Sequence, residues 1–408
     1  MMNIPITKPY FDEDEAKEAA AALASGWVAL GPRVAEFEKA VAAYEGVGYG
    51  VATTSATTAL HLLMVTSGFG PGQDVFVPSF TFVATANAVE YTGARAVLVD
   101  VSTKTYNIDM PKAEAYAAEN YTEKDGFLFN KKTGNKLTGI VPVNEFGLCA
   151  DIPAVAAFAE KHHLKVVEDS ACAFGAKIGD TFESKFGFSS ALSFHPRKSI
   201  TTGEGGMVLT DDEKLAIRLR QLRAHSASAS ADARAKGKGY LLPDFNEIGF
   251  NYRMTDIQGG IGLAQMRKIG VITERKNKLA ARYNKILPEM VPYLNIPYIP
   301  EGYTHIWQTY CCMVNLEKIG RKTVDEGYEF RIQLMDRLEQ AGISTRQGTH
   351  AVHTLNVYRE KYGYKHEDLP GAYACDRLSI AIPHYVELTE EDQNYVIDQL
   401  AKIGKELI

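Results

Sequence analysis

The sequence predicts an α/β protein with a mostly parallel or mixed central sheet, followed by a smaller α+β domain. Strand-like and helix-like segments alternate from residue 49 to 169, which is typical of βαβ units in a parallel sheet. The last third mixes strands and helices without that alternation. Because a chain of 408 residues is long enough for two or three domains, we expect a large domain over 1–270 and a small one over 271–408.

Apolar periodicity and the residues at segment ends define the individual elements. The predicted strands cover residues 49–53, 74–78, 96–100, 139–143, 164–169, 207–210, 305–314 and 378–382. The predicted helices cover residues 12–24, 34–44, 83–91, 151–163, 211–223, 256–268, 271–287, 328–341 and 390–403. A polar stretch rich in Lys, Gly and Asn at 125–136 predicts a surface hairpin. Residues 224–248 show no clear pattern.

Composition excludes several classes of protein. A net charge of −6 without a long basic run argues against nucleic-acid binding. The N-terminus shows no secretion signal and no apolar run reaches membrane-spanning length, so we expect a cytoplasmic protein. The five cysteines are scattered without metal-ligand spacing, which indicates reduced thiols and no metal site. Neither a dinucleotide fingerprint nor a P-loop motif occurs.

The most distinctive segment is residues 190–208, in which two short apolar runs flank a turn that presents Lys198. Pro196 removes a backbone donor, and the glycine-rich end of the turn permits left-handed backbone and close approach. A lysine held there can form an imine if its surroundings lower its pKa or polarise its partner. The alternative is a solvated surface lysine beside a hairpin.

Three further features follow predicted strands at the ends where ligands bind in parallel sheets. Asp169 ends one strand, Ser and Thr residues at 54–58 open a helix suited to a phosphate, and Phe82 provides a flat ring. Taken singly, the Ser/Thr turn is more often an ordinary helix cap, and core packing is the favoured interpretation of Phe82. Together with Lys198 they match pyridoxal 5′-phosphate, which needs an imine lysine, a carboxylate at the ring nitrogen, a phosphate cup and a ring partner.

The chain resembles the DegT/DnrJ/EryC1/StrS family of sugar aminotransferases. The resemblance rests on motifs at 27–38 (WVALGPRVAEFE), 54–62 (TSATTALHL), 78–87 (PSFTFVATAN), 168–169, 193–206 (SFHPRKSITTGEGG), 251–258 (NYRMTDIQ) and 348–350. It implies an aspartate aminotransferase-like, fold-type-I sandwich of three layers and a homodimer with shared active sites. The cofactor-binding residues that it implies are Lys198 for the imine, Asp169 for the ring nitrogen, Ala56, Thr57 and Ser193 for the phosphate, Phe82 for stacking, and Asn251 reaching the neighbouring subunit's phosphate.

Three features depart from the family pattern. Cys172 stands where Gln or His usually contacts the cofactor, Asn144 stands where His is common, and the hairpin near 125–136 resembles an insertion. Because cysteine is smaller, Cys172 predicts altered ring support or cofactor tuning. These departures concern substrate identity more than the type of reaction.

The motif at 251–258 is similar to that of enzymes that aminate C4 of a nucleotide-linked 4-keto-6-deoxysugar with L-glutamate, for surface polysaccharide such as lipopolysaccharide O-antigen. The resemblance implies Lys198 as the catalytic base. Candidate substrate-side residues are Trp27, Gly31, His195, Arg253, His305 and His350. Packing is the favoured interpretation of His195, and a structural ion pair explains Arg253 equally well. The alternatives are C3 amination, a pyridoxal-dependent sugar dehydratase, and a regulatory binding protein of the same fold.

Overall fold

The computed structural model describes residues 3–228 and 243–408, and part of the unassigned stretch 224–248 lies outside them. The helices include Glu13–Ala24, Pro32–Glu45, Ala56–Thr66, Ala84–Glu90, Met110–Asn120, Ile152–Lys161, Glu213–Leu222, Asp256–Met290, Val324–Gln340, Asn356–Tyr362, Pro370–Leu378 and Glu390–Leu407. The strands include Tyr49–Thr53, Gln73–Pro78, Phe80–Thr81, Arg95–Val99, Tyr121–Lys124, Phe127–Asn130, Lys136–Ile140, Lys165–Asp169, Lys177–Ile178, Thr181–Phe182, Ser189–Ser193, Gly206–Thr210, Leu294–Asn295, Tyr303–Thr304, Tyr310–Val314, His350–Ala351 and Ser379–Ile382.

A mixed sheet forms the centre of the molecule, as the alternating pattern predicts. Its main path runs, in order, through the strands that begin at Tyr49, Gly206, Ser189, Lys165, Lys136, Gln73 and Arg95. Gly206–Thr210 is antiparallel to both neighbours, and the other pairs along this path are parallel. Helices cover the sheet, and the α/β fold is therefore confirmed. The carboxyl ends of the parallel strands meet at one edge.

The predicted hairpin exists but begins earlier in the chain. Tyr121–Lys124 and Phe127–Asn130 pair antiparallel around Asp125 and Gly126, whose φ angles of 53° and 79° suit a tight turn of the primed type. Phe129 then pairs with Lys136 of the central sheet. Tyr121 opens the first strand directly after a helix. Its hydroxyl donates to buried Asp74 Oδ2 at 2.6 Å, a contact that local sequence cannot reveal.

One long helix replaces the two that periodicity predicts at 256–268 and 271–287. It runs from Asp256 to Met290 with Thr255 and Gln258 forming a capping box. The prediction of a break was wrong, because Ile269 and Ile272 on either side of Gly270 are both buried and keep one continuous face against the core. This helix runs across position 270, which leaves the proposed domain boundary inside a regular element.

The last third forms its own antiparallel sheet of Leu294–Asn295, Tyr310–Val314 and Ser379–Ile382. The N-terminal segment lies along it, since Ile4 pairs with Ile343 and its amide donates to Gly342 O at 2.8 Å. The two-residue strand His350–Ala351 pairs with Phe80–Thr81, which joins this part to the edge of the central sheet. All five cysteines are free thiols, as predicted.

No helix in the two described ranges, 3–228 and 243–408, is long and apolar enough to cross a bilayer.

Candidate active site

Lys198 lies in a loop between two paired strands. Ser193 and Gly206 are cross-strand partners, so the loop begins and ends at one place on the sheet. Within it, Lys198 N donates to His195 O at 2.9 Å and Thr202 N donates to Phe194 O at 3.0 Å. These bonds fold the loop back on the strand ends and direct Lys198 towards the carboxyl edge of the sheet.

Asp169 ends the neighbouring parallel strand Lys165–Asp169 and is only 5% exposed. The Thr85 hydroxyl donates to its Oδ2 at 2.7 Å, and the Ala171 amide donates to its Oδ1 at 3.1 Å. Burial raises the pKa of Asp169, and these two bonds together with the charge of Lys198 oppose the rise. The structure therefore brings buried Asp169 and half-buried Lys198 into one enclosure.

Cys172 makes the closest polar contact of the Lys198 side chain. Lys198 Nζ donates to Cys172 Sγ at 2.9 Å. Burial alone lowers the pKa of Lys198, but Cys172, Glu145 and Asp169 outweigh it, and the net pKa is raised. The departure from the family pattern thus lies directly against the lysine, whereas Asn144 is turned away and donates to Ser170 Oγ at 2.9 Å.

Glu145 is an acid beside this enclosure that the sequence analysis missed. It follows the strand Lys136–Ile140 on a short turn in which Phe146 has a φ of 56°. Its side chain is buried, and burial raises its pKa to about 8, although Lys198 opposes the rise. A glutamate after a predicted sheet strand was the only available signal, and such residues are usually exposed.

Lys276 is a buried lysine near Lys198 that sequence reasoning missed. It projects from the long helix Asp256–Met290 and lines a small cavity of about 20 Å³ together with Lys198. Its Nζ donates to Gln308 O at 3.4 Å. Burial lowers its pKa to about 7, and the nearby charge of Lys198 adds to this effect.

The predicted phosphate cup is the turn at the start of helix Ala56–Thr66. Ser55 caps this helix and accepts from Thr58 N at 3.2 Å. The first amides of a helix have no intrahelical acceptors, which leaves those of Ala56 and Thr57 for a ligand. Gly206 packs directly on the turn, because a Cβ there would lie 2.3 Å from Ser55 C and 2.5 Å from Ala56 N. Its strand partner Ser193 lies beside the same turn.

Phe82 and Phe80 have opposite environments although only one residue separates them. Phe80 is fully buried, whereas Phe82 is 62% exposed. Phe82 lines a cavity of about 400 Å³ with Arg197, Gln308, Arg346 and His350 among others. This ring is therefore free to cover a flat ligand, and the cavity shares Thr7, Arg197 and His384 with the small one at Lys198.

The other predicted residues are more dispersed. Trp27 donates its indole N–H to Leu30 O at 3.0 Å and packs on Gly31, and neither lines the two cavities. Arg253 and Asn251 are exposed. Tyr252 O accepts from Thr54 N at 3.0 Å, which places this segment beside the phosphate turn.

The histidines differ in their surroundings. His195 Nδ1 accepts from Arg197 N at 3.3 Å and so helps to fix the lysine loop. His305 is buried, stacks on Trp307 at 4.3 Å, and has its pKa lowered to about 3 by burial and by Lys276, so its ring is neutral. His350 is exposed and lines the larger cavity.

Comparison with known proteins decides the family. Residues 9–401 match the model of the DegT/DnrJ/EryC1/StrS aminotransferase family. The chain belongs to this family. It is a sugar aminotransferase that depends on pyridoxal 5′-phosphate, which confirms both the resemblance and the cofactor predicted from the sequence.

Relatives of this aminotransferase cover nearly its whole length. It is 33% identical over 401 residues to GDP-perosamine synthase of Caulobacter vibrioides, with 98% of each chain covered. It is 31% identical over 403 residues to the spore coat polysaccharide biosynthesis protein SpsC of Bacillus subtilis, covering 98% of this chain and 97% of the relative. The solved sugar aminotransferase CalS13 of Micromonospora echinospora superposes with a TM-score of 0.81 at 26% identity, covering 98% and 99% of the two chains.

Proposed function

We propose that this enzyme transfers the amino group of L-glutamate to the C4 keto group of a nucleotide-linked 4-keto-6-deoxysugar, with Lys198 as its catalytic residue. The observation that carries this proposal is the enclosure shared by Lys198, Asp169 and Cys172 beside an open cavity. The motif at 251–258 supports amination at C4. The relative named GDP-perosamine synthase supports a nucleotide-linked sugar.

The residues present fit pyridoxal 5′-phosphate. Asp169 is a buried acid whose oxygens are already oriented by Thr85 and Ala171, as a partner of a ring nitrogen needs. The residues proposed to hold the phosphate are the turn residues Ala56 and Thr57, Ser193, and Asn251 from the neighbouring subunit. Phe82 offers its exposed ring as a stacking face, and Cys172 lies beside the lysine.

The cofactor, when bound, supplies an aldehyde and an electron-withdrawing ring that accept an amino group from one substrate and release it to a ketone. Lys198 holds or moves the proton at its Nζ during this exchange. Cys172 Sγ orients that nitrogen. Asp169 supplies a carboxylate in a buried position, where ion pairs are stronger than at the surface.

The biological setting of the reaction is proposed from a second relative. A relative that makes spore coat polysaccharide supports a role in surface polysaccharide synthesis, lipopolysaccharide O-antigen included. We further propose a cytoplasmic homodimer with shared sites, built from domains at 1–270 and 271–408. Among the predicted substrate-side residues, His350 has the most direct support, because it lines the cavity that contains Phe82.

The proposal is tested with purified holoenzyme, ¹⁵N-glutamate and a panel of UDP-, GDP- and dTDP-linked 4-keto and 3-keto sugars. We expect ¹⁵N at C4 of one nucleotide-linked product, identified by mass spectrometry and NMR. Lys198→Ala should abolish incorporation, whereas Lys278→Ala, a change at an exposed lysine, should not. Nitrogen at C3, or loss of water without nitrogen transfer, would overturn the proposal.

A further inference from the structure

The hairpin that follows Tyr121 forms a cleft with two helices. The cleft has a volume of about 490 Å³, which is within the range of small-molecule sites in proteins. Its walls come from the end of helix Met110–Asn120, the end of helix Ile152–Lys161, and the hairpin. Among the described residues, none that lines this cleft also lines the two cavities near Lys198.

The cleft and the active site lie at opposite ends of the central sheet. Phe129 of the hairpin pairs with Lys136, the first residue of the parallel strand Lys136–Ile140. The hairpin therefore extends the sheet at the amino end of that strand. Asp169 ends the adjacent parallel strand at the carboxyl edge. A ligand in the cleft would thus be remote from the reacting lysine.

The floor of the cleft is apolar. Tyr121, Leu128 and Phe158 line it and are 3%, 4% and 5% exposed. The Tyr121 hydroxyl already donates to Asp74, so only the ring of Tyr121 is available. Ala118 and Ala157 are exposed at the sides, where their small side chains leave room. These surfaces favour the apolar body of a ligand.

His162 adds a buried polar atom to this apolar floor. It is 4% exposed, and its ring packs on Phe158 at a centroid distance of 4.9 Å. Its Nδ1 has no hydrogen-bond partner among the described residues and lies 4.0 Å from Glu123 Oε2, across the cleft wall. Burial and the charge of Lys161 lower the pKa of His162, although Glu123 and Glu114 oppose the change. The neutral imidazole therefore has an acceptor nitrogen, and leaving a buried polar atom unpaired is unfavourable.

The charges at the mouth favour a cation. Among the described residues that line the cleft, Glu114 and Glu123 are exposed carboxylates and Lys161 is an exposed ammonium. Because His162 is neutral, the lining carries a net charge of about −1 near pH 7. A carboxylate binds planar N–H donors by charge-assisted, often bidentate, hydrogen bonds. An anionic ligand would instead meet two like charges.

We propose that this cleft is a second ligand site that binds a small organic cation, an apolar ring or chain that carries an amidinium, guanidinium or ammonium group. The apolar part lies on Leu128 and Phe158. The N–H donors reach Glu123 and the unpartnered Nδ1 of His162. The inference is independent of the proposed function, since it uses no residue of the active site.

The test uses holoenzyme and a matched pair of probes, benzamidine and its uncharged analogue benzamide. Benzamidine is preferred to a primary amine because its amidinium does not react with the cofactor aldehyde. NMR titration should show saturable binding of benzamidine and much weaker binding of benzamide. Loss of a charged hydrogen-bonding partner in Glu123→Gln predicts about 5- to 20-fold weaker benzamidine binding. Ala157→Phe, which fills the cleft and leaves its charges in place, should abolish binding.

Two controls accompany these variants. Glu119→Gln changes an exposed glutamate on the same helix outside the cleft and should bind benzamidine as wild type does. The visible absorbance of the bound cofactor should be the same in every variant, which shows that each is folded and that the active site is intact.

A pH series examines the role of His162. Its charged neighbours are Lys161, His163, Glu114 and Glu123. Because its pKa lies below the usual value, the ring gains a proton only as pH falls below about 6.5. The imidazolium has no acceptor and repels a cation, so benzamidine binding should weaken from about pH 7.5 to about 5.5. His162→Gln keeps an acceptor that does not titrate, and its binding should vary less over the same range.

Several results would overturn the inference. They are a lack of benzamidine binding to wild type, equal binding of the two probes, and wild-type affinity in Ala157→Phe. Binding that survives Glu123→Gln unchanged but is lost in Ala157→Phe would assign the cleft to an apolar ligand and contradict the proposed cation. Benzamidine that is displaced by L-glutamate or by a nucleotide would lie in the active site, which would also refute a second site.

Discussion

The contact between Lys198 Nζ and Cys172 Sγ leads to a quantitative prediction about the fraction of Lys198 that is uncharged at a given pH. Cys172→Ala removes an acceptor at 2.9 Å from the amine of the half-buried Lys198. A hydrogen bond to a charged group contributes about 1.5–3 kcal/mol, and a thiol, as a weak acceptor, falls at the lower end. A loss of about 1.4 kcal/mol corresponds to about a tenfold larger fraction of uncharged amine wherever the ammonium form predominates.

The assay is covalent loading of apoenzyme with pyridoxal 5′-phosphate, followed by visible absorbance at a series of pH values. Only uncharged amine attacks the aldehyde, so Cys172→Ala should load faster near neutral pH and its rate profile should move to lower pH. Cys172→Ser, which keeps an acceptor, should lie nearer to wild type. Cys312→Ala, the same truncation at a buried cysteine elsewhere, is the control. A Cys172→Ala profile that is unchanged, or that moves to higher pH, would refute the reasoning.

Three other predictions concern the surroundings of the lysine. Asp169→Asn removes a buried carboxylate while keeping the shape of the side chain. Since breaking a buried ion pair costs about 3–5 kcal/mol, loss of the pair with the cofactor's ring nitrogen should lower turnover by about two orders of magnitude or more. Normal turnover would contradict the role of Asp169 as the partner of that nitrogen. Glu145 has its pKa raised to about 8 by burial, so between pH 5 and 8 the folded chain keeps a proton that the unfolded chain has released. Stability should therefore fall as pH rises through that window, and urea denaturation of Glu145→Gln should show a smaller fall; equal slopes would argue against it. Gly206→Ala places a Cβ against the Ser55 backbone, so it should lower the free energy of unfolding by about 1–3 kcal/mol and weaken cofactor binding. Gly270→Ala, with open space around the new Cβ, should raise the free energy of unfolding by about 0.5–1 kcal/mol. Similar thermal midpoints for the two variants would contradict this prediction.

Local sequence signals predicted the elements that carry the site. Asp169 ends its strand as predicted, because the apolar run of a buried parallel strand stops where polar residues begin. Ser55 and Thr255 cap helices, as their hydroxyl groups favour. The position of Lys198 followed from Pro196 and the glycines that force the chain out of the sheet.

Burial and long-range contacts account for what the sequence could not reveal. Glu145 and Lys276 are ionisable residues of types that are usually exposed, and only tertiary packing encloses them. Arg346 joins Arg197 because its backbone pairs with Ala381, a register set by the folded small sheet. His305 is a histidine like the others in the sequence, yet its buried, neutral ring becomes evident only from its packing on Trp307.

The covalent attachment of the cofactor tests the central claim most directly. Holoenzyme is reduced with borohydride, digested, and its peptides are sequenced by mass spectrometry. We predict the reduced pyridoxyl group on the ε-nitrogen of Lys198 and on no other lysine. Because Lys276 is buried beside the same small cavity and its pKa is lowered to about 7, it is the most serious competitor, and a label found there would contradict the account of this site.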